Sequence, residues 1–261
     1  MLDGKTLLQH LHLAHCSMPG GIFSTSTATR IAQLLSHLQP LQQLQHLQLN
    51  HMNLVWSARD ADLLHPPTSD FSVLTASSKL QHLDVSCCTL PAGVWQHLFP
   101  AGRQLPHLQS LDISYVKHSM YGAYAAAPEC SILVSCCPGL QSLDMRGLQY
   151  NAELLAPLQE LSELHTLSLT LDDHDHKAEN GMQAVCQLTG LRELRMDLPC
   201  FVDVTRLLQL TQLQQLTALT CDGPWAVVGW RKKVSLVSKV GNSDDMRYFP
   251  TCLAVLRFSC S

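Results

Sequence analysis

With 261 residues, 46% of them apolar and only 15% charged, the chain can bury a large core and does not belong to the disordered class. Its 17 basic and 21 acidic residues leave a formal net charge of −4, which argues against a general nucleic-acid binder, because phosphate neutralisation needs a basic surface. No apolar run reaches the ~18 residues that would mark a membrane-spanning helix.

The chain opens MLDGKTLLQHLHLAHC, with no basic flank followed by an uninterrupted apolar stretch, so no secretory leader is expected. The 11 cysteines are odd in number and show no regular pairing. Without an export signal they are expected to be reduced thiols in an intracellular, cytoplasmic compartment, with cytoskeletal or ciliary association as an option.

One phrase then recurs: Leu, two residues, Leu, one residue, and a third aliphatic side chain. It reads LQHLHL at 8–13, LQHLQL at 44–49, LQHLDV at 80–85, LQSLDI at 108–113, LQSLDM at 140–145, LHTLSL at 164–169 and LRELRM at 191–196. Weaker copies are LTALTC at 216–221 and LAVLRF at 253–258. From Leu8 to Leu253 the eight steps average about 31 residues, a length that suits a stacked repeat. A coiled coil would need an unbroken seven-residue period, which is absent. The last two apolar residues of each phrase are two apart, so they share one side of a short strand while their neighbours face the other way. A single strand of this kind cannot bury its leucines. Stacked copies form a parallel sheet and close a continuous core. Another apolar residue follows in the early copies, at Cys16, Met52, Cys88, Val116 and Leu148.

The segments between phrases must return the chain across the back. In TATRIAQLLSHL, Ile31, Leu34, Leu35 and Leu38 fall at helical spacing, with Pro40 just beyond. LPAGVWQHLF places Pro91 near a helix start and Val94, Trp95, Leu98 and Phe99 on one face. NAELLAPLQEL offers Leu154, Leu155, Leu158 and Leu161, and Pro157 must kink that helix or sit in its first turn. VTRLLQL at 204–210 is a shorter case. The stretches 57–79 and 115–130 are longer returns whose HPPTSD and YGAYAAAPE portions predict surface loops, and DDHDH at 172–176 predicts a polar loop.

These residues resemble the leucine-rich-repeat family over about 6–221, and the cysteine-bearing copies and CCPGLQSL at 136–143 are similar to its intracellular, ribonuclease-inhibitor-like classes. The resemblance implies an α/β solenoid, horseshoe-like, with a concave parallel β-sheet and convex helices and loops. The expected organisation is a solenoid of about eight repeats over 1–221, then an irregular segment over 222–261 that ends in a partial repeat. In that segment Trp225, Trp230, Arg231, Lys232, Lys233 and Lys239 lie among valines without a clean amphipathic period. Neither end of the chain shows an evident cap.

Stacking aligns equivalent outward positions into rows. One row reads His10, His46, His82, Ser110, Ser142, Thr166, Glu193, and the next reads His12, Gln48, Asp84, Asp112, Asp144, Ser168, Arg195. A third reads Ala14, Asn50, Ser86, Ser114, Arg146, Thr170, Asp197. Three carboxylates at strand spacing repel unless a cation is near, and Arg146 or a partner's Lys or Arg would answer them. The expected partner-binding residues are His10, His12, His46, Gln48, His82, Asp84, Asp112, Asp144, Arg146 and Arg195. An Asp at this position is frequent in the family, and a solvated carboxylate is the plain alternative. His10, His12, His46, His82 and Asp84, or His174-Asp175-His176, contain metal-ligand types, but no CxxC or HExxH occurs and the histidines follow the Leu-Gln-His composition, so no metal or other cofactor is expected. In the pairs Cys87-Cys88 and Cys136-Cys137, which could suggest redox sensing, Cys88 and Cys136 are expected to point into the core as small apolar thiols. No phosphate loop, nucleophile elbow or dinucleotide fingerprint is present.

The expected function is a non-catalytic scaffold or adaptor that binds another protein on its strand face. The alternatives are a substrate-recognition part of a ubiquitin ligase, a sensor module, a cytoskeletal or ciliary component, and, remotely, a metal-dependent enzyme built on the His and Asp rows.

Overall fold

The computed structural model describes residues 7–13, 33–54, 68–118, 127–148, 152–170, 177–197, 208–222, 232–238 and 254–260. Ala14, Cys16, Ile31, the 172–176 loop, Trp225, Trp230, Arg231 and Lys239 lie outside these residues. The chain divides into two compact units, Met1–Gln149 and Tyr150–Ser261. Both are built from α/β leucine-rich-repeat coils of a solenoid.

In the first unit each phrase forms a three-residue strand: β1 (His10–His12), β2 (His46–Gln48), β3 (His82–Asp84), β4 (Ser110–Asp112) and β5 (Ser142–Asp144). Consecutive strands pair in parallel, with Leu11, Leu47, Leu83, Leu111 and Leu143 in register. The last four of these leucines are at most 1% exposed, and Leu49, Val85, Ile113 and Met145 two residues on are fully buried. Alternation along a strand puts both rows on the core side. Burial of this apolar surface is the main force holding the coils together, at ~25 cal/mol per Å² removed from water.

After each strand the chain turns sharply toward the back. The turn is made by a residue with positive φ at the same place in four coils: His51 (60°), Cys87 (56°), Tyr115 (55°) and Gly147 (72°). Only glycine adopts this region without a Cβ penalty, which for other residues is roughly 1–2 kcal/mol. The backbone hydrogen bonds that the turn makes offset it: His51 N–H donates to the Ser86 carbonyl at 2.9 Å and Cys87 N–H to that of Ser114 at 2.8 Å. Beyond the turn Met52, Cys88, Val116 and Leu148 enter the core. The Cys88 thiol donates to the Leu49 carbonyl at 2.7 Å, so it serves both as a small apolar group and as a link to the coil before it. A second, minimal parallel ladder follows at Asn53, Thr89 and Lys117.

The returns of this unit are short. Helix α1 covers 33–38 and buries Leu35 and Leu38, while Leu34 is half-buried. Helix α2 (Trp95–Leu98) buries Leu98, with Val94 and Phe99 buried beside it and Trp95 half-buried. Helix α3 (Cys130–Cys136) buries Cys130, Leu133 and Cys136. Part of the stretch expected to be a surface loop is a 3-10 helix instead, Thr68–Thr75, with Phe71 and Leu74 buried. Its last hydroxyl, on Thr75, is buried and donates to the Leu98 carbonyl at 2.8 Å. Ser77 similarly donates to the Leu44 carbonyl at 2.7 Å, so a hydroxyl stitches neighbouring coils where other coils carry an apolar residue such as Leu41 or Leu105.

In the second unit α4 (Ala152–Leu155) passes into a 3-10 turn, Ala156–Glu160, with Pro157 at its start, where its missing N–H is harmless. Leu155, Leu158 and Leu161 are buried. Strands β6 (Thr166–Thr170), β7 (Glu193–Asp197) and β8 (Ala218–Asp222) are parallel, with Leu167, Leu194 and Leu219 in register. Helix α5 (Lys177–Cys186) and a 3-10 turn at Leu208–Gln212 are the described parts of the returns between them.

Strand β9 (Lys232–Ser238) lies antiparallel to β8, and β10 (Ala254–Cys260) lies antiparallel to β9. The phrase LAVLRF therefore sits in a strand of different pairing from the other copies. A parallel crossover takes a dozen or more residues, and only 223–231 separate β8 from β9. The register still sets Leu236 and then Leu256 across from Leu219, and Val234 and then Phe258 across from Cys221.

Candidate functional site: the outward strand face of the first unit

The parallel register fixes what lies beside what. It puts His10, His46, His82, Ser110 and Ser142 in one column, and His12, Gln48, Asp84, Asp112 and Asp144 in the next. Nine of the ten expected partner-binding residues thus share one face, because Arg146 follows Asp144 on the same coil. Arg195, in β7, belongs to the second unit, where it is exposed and in register with Ser168 and Thr220.

The three histidines form a stack. The rings of His10 and His46 are 4.2 Å apart between centroids and 15° from parallel, and those of His46 and His82 are 4.3 Å apart and 12° from parallel. Face-to-face stacking directs the ring nitrogens alongside one another instead of toward a common point. Among the described residues no group of three His, Cys, Asp or Glu side chains is placed to hold a metal ion. Burial lowers the pKa of His46, and the charges of His82 and His10 lower it further. His82 is lowered by burial and then by His10. All three effects disfavour the imidazolium, since neighbouring positive rings repel.

The carboxylates have a local task that the row pattern did not reveal. Asp84 accepts from the Ser86 N–H at 2.9 Å, Asp112 from the Ser114 N–H at 2.9 Å, and Asp144 from the Arg146 N–H at 3.1 Å. Each bond spans two residues and shapes the start of the turn, as Asp commonly does. The sequence signal was present in DVSC, DISY and DMRG, where each Asp stands three residues before the positive-φ position.

Each carboxylate also takes a side-chain partner. The Gln48 amide donates to Asp84 at 2.8 Å, bridging adjacent strands. The Ser114 hydroxyl donates to Asp112 at 2.7 Å. Arg146 donates to Asp144 from Nε at 3.0 Å and from its terminal nitrogen at 2.7 Å. The Arg146 guanidinium also lies 5.6 Å from the centre of the Tyr115 ring, a cation–π distance. The Tyr115 ring in turn rests on Gly147, where an added Cβ would collide with it.

Asp112, in the middle of the row, carries the perturbed charge. Burial pushes its pKa up to about 6; the Ser114 bonds oppose this, while Asp144 and Asp84 add to it. Asn50, just after β2, has a side-chain oxygen that is buried without a hydrogen-bond partner.

The class that this geometry defines is a leucine-rich-repeat α/β solenoid fold. No family model matches the chain, and no curated protein is similar to it. Among solved structures, an internalin from Listeria monocytogenes is similar, at 17% identity and a TM-score of 0.39, over 76% of this chain and 55% of that one. The chain thus spans about half the length of that structure.

Proposed function

We propose that the chain is a non-catalytic scaffold or adaptor whose outward strand face in the first unit binds another protein through a Lys- or Arg-bearing segment. The observation that carries this reading is the row Asp84, Asp112, Asp144, held at strand spacing by parallel pairing on a face that is otherwise polar. Among the described residues, Asp144 is the carboxylate of this row that pairs with a cation, Arg146, at 2.7 Å. Asp84 and Asp112 are held by neutral donors, so a cationic side chain from a partner adds charge compensation that the described residues do not supply there. The histidine stack, with Gln48 and His12 beside it, offers a flat, polar continuation of the same face.

A non-catalytic role fits the chemistry of the site. Each carboxylate is engaged in its own turn, and the imidazoles stack on one another. Free thiols at Cys87, Cys88, Cys130, Cys136, Cys137 and Cys186 support a reducing, cytoplasmic compartment. No helix among the described residues is long and apolar enough to cross a membrane.

The test uses substitutions that remove charge but keep the acceptor that shapes the turn. A chain with Asp84→Asn and Asp112→Asn is compared with the wild type as bait in native lysate, with circular dichroism confirming that both are folded. A partner retained by the wild type and lost by the variant supports the reading. Equal capture by both baits refutes the acidic-row version.

A further inference from the structure

Beyond the binding reading, the histidine column has a chemistry of its own. We propose that the His10–His46–His82 stack is an acid-sensitive element that holds β1, β2 and β3 together when neutral and loosens the β1–β2 edge when protonated. The geometry comes first. Parallel pairing brings three like residues face to face at 4.2 and 4.3 Å, so a proton on any ring sits beside at least one ring competing for the same charge. Two imidazoliums at that distance repel, and stacking gives them no intervening water to screen them.

Among the described residues, no carboxylate bonds to the stacked rings to stabilise their charged form. The titratable or charged groups sharing the face are His12 on β1, Asp84 on β3, Asp112 on β4, and the Asp144–Arg146 pair on β5. Asp84 accepts from Gln48 and Ser86, Asp112 from Ser114, and neither bonds to an imidazole. Lys79, in the turn before β3, donates to Gln43 and adds positive charge to the same coil. The lowered pKa values of His46 and His82, burial first and the other rings second, agree with a column that resists protons.

The sign follows directly. A folded-state pKa below the ordinary 6.5 means that the unfolded or opened strand binds protons more readily. Stability is therefore complete above that value and falls as pH drops through it toward the folded pKa. The strand pair expected to open first is β1–β2, because among the described residues β1 is paired on one side only, and Leu11 is half-buried where the equivalent leucines are buried. The bonds that then break are Leu13 N–H to the Gln48 carbonyl at 2.8 Å and His46 N–H to the Gln9 carbonyl at 2.9 Å. The proton-linked step is a property of this chain alone, so its test needs no partner and stands or falls separately from the adaptor reading.

The experiment is an NMR titration of the imidazole carbons in the whole chain, with amide hydrogen exchange near pH 7.5 and about pH 5, corrected for intrinsic exchange. In the wild type, His46 and His82 are expected to titrate below 6.5 in coupled steps, and the His46 amide to open at least about tenfold more readily in acid, while Ile113 does not change. His46→Gln removes the middle ring and keeps a polar side chain like Gln48 beside it. In that variant His82 should titrate in a single step, and the acid-dependent opening should disappear. Titration of wild-type His46 at or above 6.5 would overturn the proposal. So would a His46→Gln chain that still opens in acid.

Discussion

Single side chains on the strand face carry two tasks at once, and Asp112 shows the conflict between them. Its carboxylate shapes the turn through Ser114, but burial raises its pKa from 3.8 to about 6. Ionising it therefore costs the folded state more than the unfolded one. Above pH 6 that cost is present in full, and it is relieved as pH falls from about 6 toward 3.8. Asp112→Asn keeps the acceptor and removes the charge. The variant is expected to be more stable than the wild type by about 1–3 kcal/mol at neutral pH, with the gap closing near pH 4, as read from denaturant melts at both values. The thiols divide in the same way. Burial pushes Cys88, Cys130 and Cys137 up to about 12, so they should resist iodoacetamide in the native chain. Cys87, half-exposed in its turn, should be labelled before Cys88, Cys130, Cys136, Cys137 and Cys186, which are buried, as peptide mapping would show.

At the scale of elements, what matters is how each coil turns from its strand. The alternating leucines made the strands legible in advance, because a two-residue period leaves only one way to bury Leu83 with Val85 or Leu111 with Ile113. The turn was not legible, since His51, Cys87 and Tyr115 are ordinary residues in an uncommon backbone region, and only Gly147 belongs to the residue type that advertises it. The 3-10 helix at Thr68–Thr75 was missed for a related reason: HPPTSD reads as a loop, and the buried Phe71 and Leu74 come just after it. Gly147→Ala tests the turn directly. The added methyl would meet the Tyr115 ring and strain the backbone, and a loss of roughly 1–3 kcal/mol in a denaturant melt is expected. A melt like that of the parent would show that Tyr115 can move aside at little cost.

For the molecule as a whole, contacts between neighbouring coils set how damage spreads. Leu111→Ala removes a fully buried side chain from β4 and should cost about 2–5 kcal/mol. Hydrogen exchange should speed first at Val85 and Ile113, whose N–H groups donate to Asp112 and Asp144, before it does at Leu13. The pH profile joins two opposite trends, with His46 and His82 losing stability as pH falls below 6.5 and Asp112 gaining it as pH falls below about 6. Asp112→Asn should therefore show a steeper decline in melting temperature between neutral pH and pH 5 than the wild type. The rows of the candidate site were readable from the phrase alone, because the period fixes which residues become neighbours. The ring stacking and the turn-capping bonds were not, since both depend on side-chain torsions that a pattern of letters does not specify.

The column of histidines illustrates what a stacked repeat does to inheritance. In most folds a residue copied by duplication lands in a new environment. Here His46, at the position equivalent to His10 and 36 residues on, stacks against it, and His82 stacks against His46 in turn. Duplication therefore writes self-complementarity into the surface. A side chain that tolerates its own company, such as a neutral imidazole or serine, can persist along the column, whereas one that repels itself must acquire a local answer in each coil, as the aspartates have done with Gln48, Ser114 and Arg146.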